Sequence, residues 1–183
     1  MFTPLAITDV ILIQPNRFGD ARGWFSETFS SHLMKEGGFP DFIQDNESLS
    51  VMPGTIRGLH YQLKPFGQAK LVRCVRGALV DVALDIRPNS PTFGRHVSTR
   101  LSADANDQIL IPDGFAHGFC TLEPNTLIQY KVSAPYAPNH QGGIAWDDPA
   151  LQIDWPVASS AAILSDRDRQ HPALSQVVRN PDS

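Results

Sequence analysis

Short apolar runs, interrupted at regular intervals by Gly and Pro, make up most of the chain between about residues 10 and 132. Short strands at regular spacing with turn residues between them are typical of a β sandwich or barrel. The composition agrees: 15 Pro, 13 Gly and an excess of Asp over Glu favour turns and strands over long helices. We predict an all-β fold with strands at about 10–13, 23–29, 43–49, 56–62, 69–76, 79–86, 95–101, 108–111, 117–122 and 126–132.

Few segments predict a helix. One runs from 31 to 36, with Ser30 or Ser31 as the N-cap and Gly37-Gly38 as the stop. A second helical turn is expected after Ser165. The sequence shows no internal repeat, low-complexity segment or linker, so 183 residues predict a single domain spanning 1–183.

The charge distribution and the cysteines limit the possible partners and compartment. The formal net charge is −4 and the Arg residues are scattered, which argues against a nucleic-acid-binding surface. No apolar run reaches the length of a membrane span, and the N-terminus lacks the basic start of a signal peptide. Cys74 and Cys120 form no metal or disulfide pattern. We expect a cytoplasmic protein without membrane or nucleic-acid partners.

Two strands combine apolar and charged positions. In 79–86, Val80, Val82 and Leu84 share one face while Asp81 and Asp85 share the other. In 69–76, strand alternation places Lys70 on the face of the apolar residues at 72 and 74. A lysine there is either a strand-end side chain or a residue of a binding pocket.

The segment 54–62 is the first candidate for chemistry. It sets Arg57 three residues before His60, and histidine titrates near neutral pH, which suits it to proton abstraction. A general-base histidine also needs a carboxylate to orient its ring. Asp81, Asp85, Asp166 and Asp168 are available, and residue chemistry alone does not choose among them. The alternative for a lone histidine is a structural role.

The segment 111–119 has the form of the second sequence motif of cupin β-barrels, a Pro-x-Gly turn followed by His117. Metal-binding cupins carry His-x-His in their first motif, whereas this chain has His60-Tyr61-Gln62. We therefore expect no bound metal. Tyr130 and Tyr136 are individually typical of core or rim residues, and they become catalytic candidates only beside a base.

Several motifs together resemble one family. Arg57-Gly-Leu-His60-Tyr-Gln62, Ile111-Pro-Asp-Gly-Phe-Ala-His117 and the segments 18–29, 44–48, 70–73, 81–87, 90–94 and 146–149 are similar to those of the dTDP-4-dehydrorhamnose 3,5-epimerases. The resemblance extends from about Val10 to about Asp168. It implies a cupin-type jelly roll that works as a homodimer, without cofactor or metal, on a dTDP-linked 4-keto-6-deoxyhexose.

The resemblance also assigns roles to residues. His60 corresponds to the general base, Asp168 to its carboxylate partner, Lys70 to the cation at the keto oxygen and Tyr130 to the acid on the opposite face of the sugar. The residues that match substrate-binding positions are Arg22, Glu27, Gln44, Asn46, Arg57, His117, Tyr136 and Arg167.

Two departures and three rival functions accompany the resemblance. Gln141-Gly142 replaces a common Glu-Arg pair, and Arg167 stands where Lys is common.

The nearest rival function is that of an epimerase that inverts C3 alone. The presence of Tyr136 beside Tyr130 favours the double reaction over it. A metal-dependent cupin enzyme is disfavoured by Gln62, and a non-catalytic sugar-binding module is disfavoured by the complete set of base, cation and acid.

Overall fold

The computed structural model describes residues 1–177, and these form an almost entirely β structure. The strands are β1 (Phe2–Pro4), β2 (Ile11–Ile13), β3 (Phe18–Asp20), β4 (Gly23–Phe25), β5 (Gln44–Ser50), β6 (Ile56–Gln62), β7 (Lys70–Arg76), β8 (Ala78–Asp85), β9 (His96–Ser102), β10 (Gln108–Ile111), β11 (Phe115–Thr121), β12 (Thr126–Val132) and β13 (Gln141–Gly143).

Two antiparallel sheets face each other. The larger has the strand order β1-β2-β10-β7-β12-β5, and the smaller has the order β13-β6-β11-β8-β9. The strands β3 and β4 form a separate hairpin. Apart from β1–β2 and β8–β9, neighbouring strands in these two sheets are not consecutive in sequence, so the chain crosses repeatedly between the layers, as in a jelly roll. The all-β jelly-roll prediction is confirmed.

The predicted strands agree closely with the observed ones. The bounds of β6, β10 and β12 are those predicted, and most others differ by one or two residues. The strand expected at 23–29 ends at Phe25. Beyond it, Ser26 and the Thr28 carbonyl accept hydrogen bonds from the side chains of Asn106 and Gln108, so this segment follows β10 without joining a sheet. β1, β3 and β13 were not predicted.

The helices are short. α1 (Ser31–Glu36) has the predicted bounds, and the Ser30 hydroxyl caps it by accepting from the Leu33 amide. A 3₁₀ helix at Asp168–Gln170 lies where a helical turn was expected after Ser165. The remaining ones are α2 (Leu174–Val177) and 3₁₀ helices at Pro138–His140 and Ser159–Ala161. No helix within residues 1–177 is both long and apolar enough to cross a membrane.

The main core lies between the sheets, where Val72 and Ile128 of the larger sheet meet Leu79 and Phe119 of the smaller one. Burying each such side chain contributes about 1.5–3 kcal/mol to folding.

The two faces of β8 have opposite surroundings. Its row with Asp81 and Asp85 faces the interior, because Leu79 and Ala83 in the same row belong to the inter-sheet core. Its apolar row, with Val82 and Leu84, packs outside the smaller sheet against residues of 151–177. Both rows are therefore buried, and the acids point inward.

Candidate active site

A cavity of about 480 Å³ lies between the two sheets. Both sheets and the segment 163–168 supply its walls, so the cavity exists only once distant parts of the chain have packed together. The lining residues are Ser48, Thr55, Ile56, Arg57, His60, Lys70, His117, Phe119, Ile128, Tyr130, Gln141, Ile163, Leu164, Ser165, Arg167 and Asp168.

A β-bulge in β6 brings Arg57 and His60 to the same cavity. Residues three apart in a regular strand point to opposite faces. Here His60 pairs with His117 and Arg57 pairs with Phe119. Between these two pairs β6 therefore contains one residue more than β11, which is a β-bulge. Gly58 occupies the bulge with φ +142°, and a Cβ there would lie 2.5 Å from the Cα of Gly118. A side chain at this position would push the two strands apart.

His60 and Asp168 form a short hydrogen bond at the cavity wall. Nε2 of His60 lies 2.6 Å from Oδ1 of Asp168, whose side chain is 5% exposed. The Ser165 hydroxyl accepts from the Asp168 amide and fixes the start of the 3₁₀ helix. Burial alone raises the pKa of Asp168, but the hydrogen bond and charge of His60 outweigh it, with help from Ser165 and His171, so this pKa lies below its usual range. Asp168 is therefore ionised at neutral pH.

Lys70 is buried at the first position of β7, with 8% of its surface exposed. Nζ donates to the backbone carbonyl of His60 at 3.3 Å. Burial lowers the pKa of Lys70 to about 8, and the negative charge of Asp81 opposes that fall. The sequence left two roles open for Lys70, a strand-end side chain or a residue of a binding pocket. The structure shows both, because Lys70 is the first residue of β7 and also lines the cavity.

A second buried histidine–carboxylate pair stands beside the first. Nε2 of His117 lies 2.8 Å from Oδ2 of Asp81, and both side chains are within the interior. Burial lowers the pKa of His117, although Asp81 opposes this, and the charges of Lys70 and His60 lower it further. His117 is consequently neutral at neutral pH.

Tyr130 reaches the cavity from β12 in the larger sheet, whereas His60 belongs to the smaller one. The two side chains thus line one cavity from opposing layers. Burial raises the pKa of the Tyr130 phenol, with a smaller opposite effect from the charge of Arg57, so the phenol keeps its proton at neutral pH. Asn46 pairs with Tyr130 across β5 and β12, and its side-chain oxygen accepts from Gln44 at 2.8 Å.

The predicted site residues fall into two groups. His60, Lys70, Tyr130, Asp168, Arg57, His117 and Arg167 line the cavity, with Gln44 and Asn46 on the same face of β5 as the lining Ser48. Arg22 and Glu27 do not line it: Arg22 lies on the β3–β4 turn with its side chain 90% exposed and paired to Asp20. Tyr136 is exposed and donates to Oε1 of the lining residue Gln141 at 2.9 Å.

Gln141 and His171 were not in the predicted site, and neither were the lining hydroxyl residues Ser48, Thr55 and Ser165. Gln141 was omitted because it replaces a residue common in the family, although its place after the Tyr136 loop already put it near the site. His171 lies three residues after Asp168, and its Nε2 is 3.4 Å from Oδ1 of that carboxylate. The available signal was a histidine three residues after Asp168, just beyond the helical turn expected after Ser165.

One cluster of possible metal ligands surrounds Asp168. Ligating atoms of His60, Asp168 and His171 lie within 4.8 Å of one another. The 2.6 Å between His60 and Asp168 is shorter than the about 3.3 Å that separates two ligands around tetrahedral zinc, so this pair fits a shared proton better. Gln62 occupies the cupin ligand position, but its side chain is used in hydrogen bonds to the backbone. Its Nε2 donates to the carbonyls of Phe66 and Pro135, and its Oε1 accepts from the amide of Ala137.

The sequence matches a known protein family and curated proteins of the same name. The family model for dTDP-4-dehydrorhamnose 3,5-epimerase matches residues 4–176. A curated dTDP-4-dehydrorhamnose 3,5-epimerase from Sinorhizobium fredii is 50% identical over 177 residues, which cover 96% of this chain and 90% of that protein.

Solved structures agree with this match. The Bacillus anthracis dTDP-4-dehydrorhamnose 3,5-epimerase with TDP and PPi bound has a TM-score of 0.91 at 45% identity, covering 94% of this chain and 98% of that one. The Legionella pneumophila enzyme in complex with dTDP-4-keto-L-rhamnose has a TM-score of 0.92 at 39% identity, covering 97% and 94%. A 3'-monoepimerase from Streptomyces bikiniensis in complex with dTDP-quinovose has a TM-score of 0.90 at 35% identity, covering 96% and 89%. This chain belongs to the dTDP-4-dehydrorhamnose 3,5-epimerase family.

Proposed function

We propose that this protein epimerises dTDP-4-dehydro-6-deoxy-D-glucose at C3 and C5 to give dTDP-4-dehydro-L-rhamnose, without cofactor or metal. The observation that carries the proposal is that His60 and Tyr130 line one cavity from opposing sheets. Inversion at carbon requires a proton to leave from one face and another to arrive at the opposite face. A base and an acid on opposite walls meet that requirement.

His60 is the base in this mechanism. Its Nε2 is hydrogen-bonded to Asp168, so Nδ1 is the ring nitrogen that accepts the proton from carbon. The ionised Asp168 then stabilises the imidazolium that forms. Because the C4 ketone acidifies the hydrogens on both C3 and C5, one base that reaches both carbons serves both inversions.

Lys70 stabilises the enolate. Removal of either proton places negative charge on the C4 oxygen, and a buried cation interacts strongly with that charge because little water screens it. With its pKa at about 8, Lys70 is mostly protonated at neutral pH. Tyr130 keeps its phenolic proton and delivers it to the other face of the sugar.

The nucleotide provides the binding energy. Arg57 and Arg167 line the cavity and supply two permanent positive charges for the diphosphate. The similar structures contain bound TDP or a dTDP-linked sugar, and this supports a dTDP-linked substrate. Holding the diphosphate in place positions the sugar between His60 and Tyr130.

We also infer that the protein works as a homodimer. The β3–β4 hairpin exposes Phe18, Trp24 and Phe25 by more than half, and the edge strand β5 continues into exposed Val51 and Met52. An exposed aromatic hairpin and an uncovered sheet edge favour pairing with another chain. Arg22 and Glu27, which lie outside the cavity of their own chain, would then be able to reach the cavity of a partner. Mass measurement in solution by light scattering tests this.

A C3-only epimerase is the second candidate, favoured by the similarity to the 3'-monoepimerase. Product analysis separates the two. After incubation with the 4-keto sugar nucleotide, NMR coupling constants of the sugar ring identify which centres are inverted. The L-rhamno product supports the double reaction, whereas a product inverted at C3 alone supports the second candidate, and recovery of unchanged substrate contradicts both.

A further inference from the structure

His171 lies behind the proposed base, outside the cavity lining. Its ring meets that of His60 edge-on, with centroids 5.5 Å apart and planes at 81°. Its Nε2 lies 3.4 Å from Oδ1 of Asp168, the oxygen that His60 approaches to 2.6 Å. One carboxylate oxygen is therefore shared between two imidazole rings.

The absence of a side chain at Gly143 leaves space for the His171 ring. Gly143 of β13 is the cross-strand partner of His60. A Cβ at Gly143 would lie 2.3–2.4 Å from Cε1, Nδ1 and Nε2 of His171. Any side chain opposite His60 would occupy the place that the His171 ring fills.

The Nε2 atom of His171 is buried, and no group within residues 1–177 forms a well-aligned hydrogen bond with it. A buried polar atom without a hydrogen bond destabilises the fold. Its nearest charged neighbour is the oxygen of Asp168. A small rotation of the carboxylate or of the ring would complete the hydrogen bond.

We propose that His171 is a positioning residue, which donates from Nε2 to Asp168 and packs against His60 so that the carboxylate and the base keep their relative orientation. The inference rests on the proposed function, in which His60 removes the proton from carbon. Without His171, Asp168 can turn away from His60 and the base loses its fixed orientation. Substrate binding should change little, since His171 does not line the cavity.

The test uses a matched pair of variants in the full chain. H171Q retains an N–H donor at a similar reach, whereas H171M has a similar length and volume but no donor. H96M is the control, because His96 is a partly buried histidine on β9 that does not line the cavity. For H171M we expect kcat for deuterium exchange to fall about tenfold with KM for the sugar nucleotide unchanged, by analogy with the groups that orient metal-ligating histidines. H171Q should recover most of the rate, and H96M should keep it.

A second measurement does not depend on turnover. In ¹⁵N-histidine-labelled protein, the imidazole N–H shared by His60 and Asp168 should be protected from exchange with water and visible by NMR. H171M should broaden or remove this signal, and H171Q should retain it. If H171M keeps the signal, or if H171M and H171Q lose it alike, the positioning role is wrong. This holds even if the unmodified protein fails to turn over the sugar nucleotide, which would overturn the proposed function alone.

G143A provides an independent route, because it displaces the His171 ring without removing a polar group. We expect a smaller loss of the N–H signal than in H171M. The double variant G143A/H171M should lose no more than H171M alone, because both changes act on one contact. Additive losses would show that Gly143 acts separately and would contradict the proposed arrangement.

Discussion

The side-chain amine of Lys70 donates a hydrogen bond to the backbone carbonyl of His60, 3.3 Å away. This contact links the larger sheet to the strand that carries the proposed base. It also holds a cation in the interior, where burial lowers the pKa of Lys70 from 10.5 to about 8. Burial and the negative charge of Asp81 act on this pKa in opposite directions, and the effect of burial is the larger.

The first prediction is that Lys70→Met makes the protein more stable and much less active. The lowered pKa corresponds to a cost of about 3 kcal/mol for holding the charged amine in the fold. That cost already includes the attraction to Asp81. Methionine also loses the hydrogen bond to the His60 carbonyl, so we expect a gain in unfolding free energy on the order of 1–3 kcal/mol at pH 7. Exchange at C3 and C5 should fall at least about a hundredfold, because the enolate loses its cation.

The pH dependence of that gain has a defined sign. Between pH about 8 and 10.5 the unfolded chain holds a proton on Lys70 that the folded chain has released. The stability of the unmodified protein therefore rises with pH across this window, and the advantage of Lys70→Met should shrink there. Urea unfolding at pH 7 and pH 10 measures both values. A variant less stable than the unmodified protein at pH 7 would contradict the account.

The second prediction concerns the partner of the base. Asp168→Asn should leave the fold intact and slow turnover by at least about a hundredfold, because an amide does not stabilise the imidazolium. Asp85→Asn is a matched control, since Asp85 accepts from Arg87, Ser90 and Thr92 rather than from a histidine. That variant should lose stability in thermal unfolding while its folded fraction stays active. Near-normal turnover of Asp168→Asn would show that the assigned partner is wrong.

The third prediction is that His60→Ala abolishes exchange at both C3 and C5. One base serves both carbons, so removing it leaves no substitute. NMR of the recovered sugar nucleotide in heavy water measures the two positions separately, and binding of dTDP serves as the control for an intact site. Exchange retained at either carbon would require a second base, for which His117 is the nearest candidate in the cavity.

The fourth prediction separates the acid from the base. Tyr130→Phe removes only a hydroxyl, so the nucleotide sugar should still bind and His60 should still remove the proton. Deuterium returned by protonated His60 restores the original configuration. The variant should therefore label recovered substrate faster than it forms epimer, whereas the unmodified protein forms product in step with exchange. Equal losses of labelling and product would mean that the tyrosine stabilises the enolate, and Tyr136 would become the next candidate for the acid.

Local sequence pattern predicted most of the strands because turn residues delimit them. It did not predict that Arg57 and His60 share a face, since the bulge at Gly58 depends on the packing of β6 against β11. Nor could it choose Asp168, which is 108 residues from His60 in sequence and reaches it only through the fold.

The alternation in β8 was visible in the sequence, but its inner face was not. Alternation identifies two faces and says nothing about which one is inside when both are covered. The segment 151–177 covers the apolar row of Val82 and Leu84, and this leaves Asp81 inside beside His117. The acids therefore line the interior because a distant part of the chain occupies the other side.

The most direct test of the central claim is incubation of the unmodified protein with dTDP-4-dehydro-6-deoxy-D-glucose in heavy water, followed by NMR of the sugar protons over time. Because His60 and Tyr130 line opposite walls of one cavity, we expect deuterium at both C3 and C5 together with the L-rhamno product, in step with the labelling. Deuterium at C3 alone, or no deuterium at either carbon while dTDP binds, would contradict the double epimerisation.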